Sequence, residues 1–256
     1  MVNSTSWLKI CEDYKILKHD FNKSPFLLSA TQIKESCQKF KKTSEKEVRI
    51  LCKQDKREDR HDVFIDNSLF LLPVKNGYYN IIKGEGYVDI PEISTKTKTY
   101  SSKLNFILET SKVGDSEMQH LDYAYASSLI RTFMNDSSLM LTIRGRKYTP
   151  SFNFSVNKQE INIKSVQTEV DAGYEGKEQI VLIEAKSFKT TVTANTIIRQ
   201  LFYPYRHWQG MTEKKVVTLF FKKAGNIYSI WQFEFIDPYN YNSIKLIRSE
   251  KFEIME

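Results

Sequence analysis

The sequence predicts a mixed α/β fold of the α+β kind, with a mixed central sheet flanked by helices behind a smaller N-terminal module of helices and a hairpin. Three observations carry that expectation. Helix-period apolar spacing dominates the first part of the chain, strand-like apolar runs recur as far as residue 252, and two helical segments, near Ser116 and near Thr193, are set among those strands. A chain of 256 residues suits one large domain or two small ones, and its 41% hydrophobic share is ample for a core.

Charge and composition narrow the function classes. The net charge is +7 and the pI about 9.1, a balance that favours a polyanionic partner. No apolar stretch approaches the length of a membrane span. The N-terminus lacks the basic-then-apolar layout of a signal peptide, so a cytoplasmic protein is expected. Cys11, Cys37 and Cys52 form neither a disulfide framework nor a zinc pattern. His19, His61, His120 and His207 are scattered and make no ligand pair. No Gly-rich loop ending in Lys-Ser/Thr is present, so no nucleotide cofactor is expected.

Taken in order, residues 1–60 read mainly as helix. Trp7, Ile10, Cys11, Tyr14 and Leu17 keep a helical period. Ser24-Pro25 interrupts it, and Ser29 or Thr31 can cap a second helix with Ile33, Cys37 and Phe40 on its inner face. A charged run from Lys41 to Arg60 follows, interrupted by acids including Asp55. It is either a solvated face or a DNA-facing one. Val63-Phe64-Ile65, Leu69 to Leu72 and Tyr78 to Ile82 read as strands, the last after an Asn76-Gly77 turn. Helices followed by a hairpin suggest a winged-helix-like module, by fold analogy alone. Residues 83–103 read as a loop or linker. The expected division is an N-terminal module over 1–100, possibly DNA-reading, and a second domain over 101–256.

In that second part, Gly114-Asp115-Ser116-Glu117 leads into a helix to about Phe133, with Ser116 and Gln119 forming a capping box. Thr142 to Lys147 carries Arg144, Arg146 and Lys147, which are candidate phosphate contacts or simply an exposed basic loop. Residues 151–156 are strand-like and end at an Asn157-Lys158 turn. Residues 161–171 and Ile180 to Ile183 read as two strands joined by a turn with two glycines. Thr193 to Trp208 reads as a helix in which Ile197, Leu201, Tyr205 and Trp208 share one face and Pro204 must kink or divide it. Residues 215–222, 226–235 and 243–252 complete the strands.

The chemistry concentrates where the glycine turn ends. Glu184 and Lys186 are two apart and share a face of a strand. If the turn centres on Gly176-Lys177-Glu178, Asp171 stands opposite Glu184, with Cβ atoms about 4.5–5.5 Å apart. Two carboxylates that close need a shared proton or a cation, and a hard divalent ion with oxygen ligands fits. Lys186 then points at the same spot, where it can hold or deprotonate a water for attack on a phosphodiester. A turn centred nearer Tyr174 would instead set Asp171 against Glu178.

This Asp-x12-Glu-Ala-Lys array resembles the PD-(D/E)xK nuclease superfamily, and within it the type II restriction endonucleases. The resemblance covers residues 114–235. Val170 stands where the proline of the family name would be. The resemblance implies a restriction-endonuclease-like core, a Mg²⁺-dependent, sequence-specific cleavage of double-stranded DNA, and Asp171, Glu184 and Lys186 as the catalytic triad. It implies Mg²⁺ held by Asp171, Glu184 and the Ala185 carbonyl. Glu117 matches the acid often carried by the helix before the catalytic sheet; its alternative is dipole compensation in the first turn. Gln200, with Arg199, matches the polar residues of the helix that follows, or both simply meet solvent. Arg199 and Arg206 join the candidate DNA contacts. Cutting both strands at a symmetric site implies a homodimer on DNA. Tyr228, Trp231, Phe233, Phe235, Tyr239 and Tyr241 are one candidate surface for it, unless they are sheet core. The competing functions are a non-catalytic DNA-binding protein on a nuclease-like fold and a repair or junction nuclease with little sequence preference.

Overall fold

The computed structural model describes residues 4–112, 116–187 and 195–255. Helix α1 (Ser4–Asp13), strand β1 (Phe26–Ser29), helices α2 (Ala30–Cys37), α3 (Thr43–Lys46), α4 (Val48–Leu51) and α5 (Asp62–Asp66), and strands β2 (Leu69–Lys75) and β3 (Tyr78–Lys83) form the N-terminal part. Ser29 caps α2: its side chain accepts the Gln32 N–H while Gln32 reaches back to the Ser29 N–H, at 3.1 and 2.8 Å. The strands form a sheet in the order β1-β3-β2, with the β2–β3 turn at Asn76-Gly77. Val63-Phe64-Ile65, expected as a strand, lies in α5 instead. Val63 and Phe64 bury there beside Trp7 and Leu69 in the N-terminal core, on the inner side of a single turn. Leu17, expected on the inner face of the first helix, is exposed; Lys15 takes a left-handed conformation and ends the period.

Residues 83–103 are not a linker. They hold β4 (Tyr87–Asp89) and β5 (Lys98–Ser101), and Tyr87, Ile90 and Ile93 are buried in a core shared with the rest of the chain. β2 alternates between two cores. Phe70, Leu72 and Val74 face the larger core, and Leu69 and Leu71 face the N-terminal helices. Each such side chain contributes about 1.5–3 kcal/mol by leaving water.

Beyond β5 come α6 (Glu117–Ala126), α7 (Leu129–Met134), β6 (Met140–Tyr148), β7 (Phe152–Val156), β8 (Gln159–Ile163), β9 (Gln167–Glu175), β10 (Gln179–Ser187), β11 (Asn195–Ile197), α8 (Arg199–Gln209), β12 (Lys215–Ala224), β13 (Ile227–Phe235) and β14 (Ile244–Met255). The expected helix to Phe133 is two helices, because Ser128 adopts a left-handed conformation between them. The expected strand over residues 161–171 is also two. Ser165 has φ 57°, β8 pairs with β7 in a separate ribbon, and only β9 enters the main sheet. Gly114-Asp115 and Thr193 lie outside the described residues. Pro204 lies inside α8, which runs unbroken from Arg199 to Gln209.

The main sheet is mixed and seven-stranded, in the order β5-β14-β13-β12-β10-β9-β6. β10 and β12 are parallel and joined by a crossover that carries α8, while β9–β10, β12–β13 and β13–β14 are antiparallel. β10 is buried on both faces. Val181, Ile183 and Ala185 face α6 and α7, while Ile180 and Leu182 face α8. Among the described residues no helix is long and apolar enough to cross a membrane. The aromatic set proposed as a dimer surface is core instead. Tyr228, Trp231, Phe233, Phe235 and Tyr241 are buried because the inward positions of β13 and the turn after it pack on α8 and α6, and only Tyr239 is exposed.

Candidate active site

The site sits where β10 leaves the apolar core. The β9–β10 turn is Gly176-Lys177-Glu178, closed by Gly176 N–H to Gln179 O at 2.8 Å. A side chain at Gly176 would run into the Asp136 carboxylate, which is why a glycine stands there. The strands pair from Ile180↔Glu175 to Ile183↔Ala172, and the pairing ends there, one step short of Asp171 and Glu184. β9 carries a bulge at this point. Against β6, Ile143 pairs with Gly173 and Gly145 with Val170, so β9 spends one residue more than β6 across that interval. Asp171 lies in the extra length. Its Oδ2 accepts the Ala185 N–H at 2.7 Å, where the next backbone acceptor of the ladder would otherwise stand.

Glu184 projects on the α8 side and is only 8% exposed. The Lys186 ammonium donates to Glu184 Oε1 at 2.5 Å. Burial pushes the Glu184 carboxyl up to about 7; the charges of Asp171 and Asp55 add to the rise and Lys186 opposes it. Burial also lifts Asp171 above the usual carboxylate range. The Ala185 N–H and Lys186 pull it back, and Glu117 and Glu169 push it further up. At Lys186 burial disfavours the charge, yet the Glu184 carboxylate outweighs it and the pKa rises. Lys186 is therefore an ammonium at neutral pH.

Two flanking helices converge on this point. Ser116 caps α6: its Oγ accepts the Gln119 N–H at 3.2 Å, and Gln119 Oε1 accepts the Ser116 N–H at 3.3 Å. That capping places Glu117 in the first turn, where its charge is felt by both Asp171 and Lys186. On the opposite face Gln200, in the first turn of α8, lines a cleft with Val170, Leu182, Glu184 and Thr218. Its Oε1 accepts the Thr196 hydroxyl at 2.8 Å. Asp171, Glu184, Lys186, Glu117 and Gln200 thus gather where the β9–β10 pairing ends.

The candidate phosphate contacts are distributed differently. Residues 142–147 are no loop but part of β6, the edge strand beyond β9. Arg144 is bound by Asp122 and Arg146 by Glu169, at 2.5 and 3.2 Å. Lys147 lies over the Trp208 ring, 4.7 Å from its centroid. Arg199 is 3.9 Å from Asp55. Arg206 is held by the Pro238 carbonyl and the rings of Phe152 and Tyr239, so its guanidinium is committed to the fold.

Sequence reasoning missed the contribution of the N-terminal part. The Asp55 carbonyl accepts the Ile197 N–H at 2.8 Å, the Arg57 N–H donates to Asn195 Oδ1 at 2.8 Å, and Asn195 Nδ2 donates to Glu58 at 2.9 Å. These bonds fix residues 55–58 against β11 and the start of α8, beside Glu184. Lys222 was also missed. It is the register partner of Lys186 across β10 and β12 and is buried. A lysine at the same parity as Val216, Thr218 and Phe220, which are buried, was the available signal.

Hard oxygen donors at the site are the Asp171 and Glu184 carboxylates and the Ala185 carbonyl. Among the described residues no group of three or more His, Cys, Asp or Glu side chains converges as a metal site. Two desolvated carboxylates, with the charge of Asp171 raising the pKa of Glu184, are a donor set suited to a small hard cation, which commonly takes one or two carboxylates and completes its shell with water and substrate phosphate.

A family model described as a domain of unknown function (DUF6997) matches residues 82–253, and a second, likewise a domain of unknown function (DUF6996), matches residues 4–81. No curated protein matches the chain. One solved structure, "Crystal structure of SSO0001", is similar over 58% of this chain at 10% identity and a TM-score of 0.21. The chain spans 54% of that protein's length.

Proposed function

The chain belongs to the DUF6997 family, whose description assigns no activity, and we propose that it is a Mg²⁺-dependent endonuclease of double-stranded DNA, of the type II restriction class. The observation that supports this reading is the Asp171 carboxylate bonded to the Ala185 N–H, between Glu184 and Lys186, which are themselves paired. A restriction-endonuclease-like core is part of the same reading. It is supported by the mixed sheet, by α6 bringing Glu117 in before it, and by α8 following β10 with Gln200.

Asp171, Glu184 and the Ala185 carbonyl would hold the metal. Bound there, Mg²⁺ supplies Lewis-acid stabilisation of phosphate charge and lowers the pKa of its water. Asp171 keeps the end of β10 in place by accepting the Ala185 N–H. Lys186, held as an ammonium by Glu184, stabilises the charge that builds on the phosphoryl oxygens as water attacks. Glu117 adds negative potential beside Asp171 and strengthens cation binding. The exposed Arg146 and Lys147 on β6, with Arg199, take phosphates of the duplex, and the N-terminal helix-plus-hairpin module reads the DNA.

The deciding experiment is plasmid cleavage by the purified protein in Mg²⁺ and in EDTA, with Lys186→Ala beside it. Discrete fragments in Mg²⁺ alone, lost in the variant, support the reading. Full activity in Lys186→Ala overturns the assignment of the site. Duplex binding without cutting by the wild type replaces it with a non-catalytic DNA-binding protein. Cutting without discrete fragments replaces restriction with a nuclease of little sequence preference.

A further inference from the structure

Helix α8 opens without a side-chain cap. Its N-cap position is Ile198, whose side chain has no hydrogen-bonding atom to give. Just upstream, Asn195 and Thr196 of β11 do carry polar side chains, and each is only 2% exposed. Polar groups buried that deeply need partners. Asn195 commits its whole amide to the N-terminal part. Its Oδ1 accepts the Arg57 N–H at 2.8 Å, and its Nδ2 donates to the two Glu58 carboxylate oxygens at 2.9 and 3.2 Å. The Asp55 carbonyl accepts the Ile197 N–H, and β11 pairs with β4 through Thr196↔Val88. Thr196 therefore sits on a short strand held from two sides.

The Thr196 hydroxyl donates to Gln200 Oε1 at 2.8 Å. This bond does not cap the helix, because it ends on a side chain and satisfies none of the backbone N–H groups of the first turn. Packing does not call for it either: valine would occupy the same space without the cost of burying a hydroxyl. What the bond fixes is Gln200, a half-buried side chain whose long stem would otherwise sample several rotamers. Gln200 lines the cleft that also holds Glu184. With its oxygen taken by Thr196, the Gln200 amide has its amino group left to donate. An N–H donor held in one orientation beside the carboxylates suits an anionic oxygen.

We propose that Thr196 is a positioning residue for phosphodiester cleavage: its hydroxyl orients Gln200 so that the Gln200 amino group donates to an oxygen of the scissile phosphodiester. The inference rests on the endonuclease reading and deepens it. It gives a buried threonine hydroxyl a use that neither capping nor packing supplies. It also runs the support of the site back through Asn195 to Arg57 and Glu58, so the N-terminal part holds the strand from which Gln200 is aimed.

The test is a double-mutant cycle of Thr196→Val and Gln200→Ala in the full chain, read as the rate of plasmid cutting in Mg²⁺ with enzyme in excess. Thr196→Val should cut roughly tenfold more slowly than the wild type, since the donor stays and only its alignment is lost. Gln200→Ala should lose a factor on the order of 10², as removal of a charge-stabilising donor does. The double variant should be no slower than Gln200→Ala, because Thr196 has nothing left to orient. Thr196→Ser keeps the hydroxyl and should cut close to the wild-type rate, a rescue that a purely packing role would not give. Wild-type cutting by Thr196→Val or Gln200→Ala overturns the positioning role and leaves the endonuclease reading standing. So does slow cutting by Thr196→Ser, or a further fall when Thr196→Val is added to Gln200→Ala. Should Thr196→Val lose its cooperative melt, Gln200→Glu decides: it keeps an oxygen for the Thr196 hydroxyl but carries no N–H. It should be as slow as Gln200→Ala, and wild-type cutting by it overturns the role. A wild type that leaves the plasmid uncut in Mg²⁺ overturns both the role and the endonuclease reading.

Discussion

Asp171 Oδ2 accepts the backbone N–H of Ala185 at 2.7 Å, so one carboxylate serves both the sheet and the site. The two duties separate by substitution. Asp171→Asn keeps an oxygen for the Ala185 N–H and removes the charge. It should abolish Mg²⁺-dependent cutting with little change in melting temperature. Asp171→Ala should abolish cutting and also cost about 1–3 kcal/mol, because a part-buried N–H loses its acceptor. Cutting by Asp171→Asn at the wild-type rate would remove Asp171 from the catalytic set.

Glu184 makes the metal-free protein sensitive to pH. Its folded pKa of about 7 lies above the ordinary 4.5, so the folded state binds the proton more tightly than the unfolded chain. The resulting stability is full below pH 4.5 and is lost as pH rises through about 7. In EDTA the melting temperature should fall over that window in the wild type and fall less in Glu184→Gln. Mg²⁺ should raise it more at pH 8 than at pH 6, since bound carboxylates must be ionised. A flat wild-type profile in EDTA over this window, superimposable on that of Glu184→Gln, would contradict the buried carboxyl.

Glu117 stands in the first turn of α6, yet the cap is made by Ser116 and Gln119. Removing its charge should therefore cost only a few tenths to one kcal/mol of stability through the helix dipole. If its field helps hold cation or water at Asp171, Glu117→Gln should slow cutting by a factor on the order of 10². An unchanged rate would leave Glu117 a dipole-compensating residue.

The parts of the fold and site that could be read in advance were those with local causes. A glycine turn followed by an apolar run marked the β9–β10 hairpin while leaving two registers open, and Ser116 with Gln119 fixed the start of α6. What could not be read depends on partners distant in sequence. Val63-Phe64-Ile65 is too short for its period to separate helix from strand, and burial against Trp7 settled it. Residues 83–103 look like a linker because Tyr87, Ile90 and Ile93 are spaced irregularly; the surfaces that bury them come from α8 and β13. The Asp122 partner of Arg144 and the Pro238 partner of Arg206 are likewise set by tertiary packing. So is the arrival of Asp55 beside Glu184.

Arg146 and Glu169 are both exposed, and an ion pair of that kind is worth about 0–1 kcal/mol. A phosphate can displace the carboxylate at little cost. Arg146→Ala should therefore lower the log–log salt slope of duplex binding by about 0.9 and weaken all sequences alike. Arg144, bound to Asp122 on the side chain's inner reach, should change the slope less. A wild-type slope in Arg146→Ala would return this part of β6 to solvent.

One site can cut one strand at a time, so cleavage of both strands at a short symmetric sequence is met most simply by a two-fold pair of chains on the duplex. The burial of Tyr228, Trp231, Phe233, Phe235 and Tyr241 removes the aromatic face once assigned to such a pair. Their areas already stabilise the sheet. A dimer must therefore use other surface, and the DNA itself can supply much of the association by binding both copies. On that account the protein should form a two-chain complex with duplex carrying its cut site. Substituting the exposed Tyr239 by Ser should leave that complex intact, since a lone exposed aromatic makes no interface core. Light scattering of the complex in EDTA gives the stoichiometry directly. One chain per duplex, with both strands still cut in Mg²⁺, would mean sequential nicking by a monomer and would remove the argument for a symmetric site.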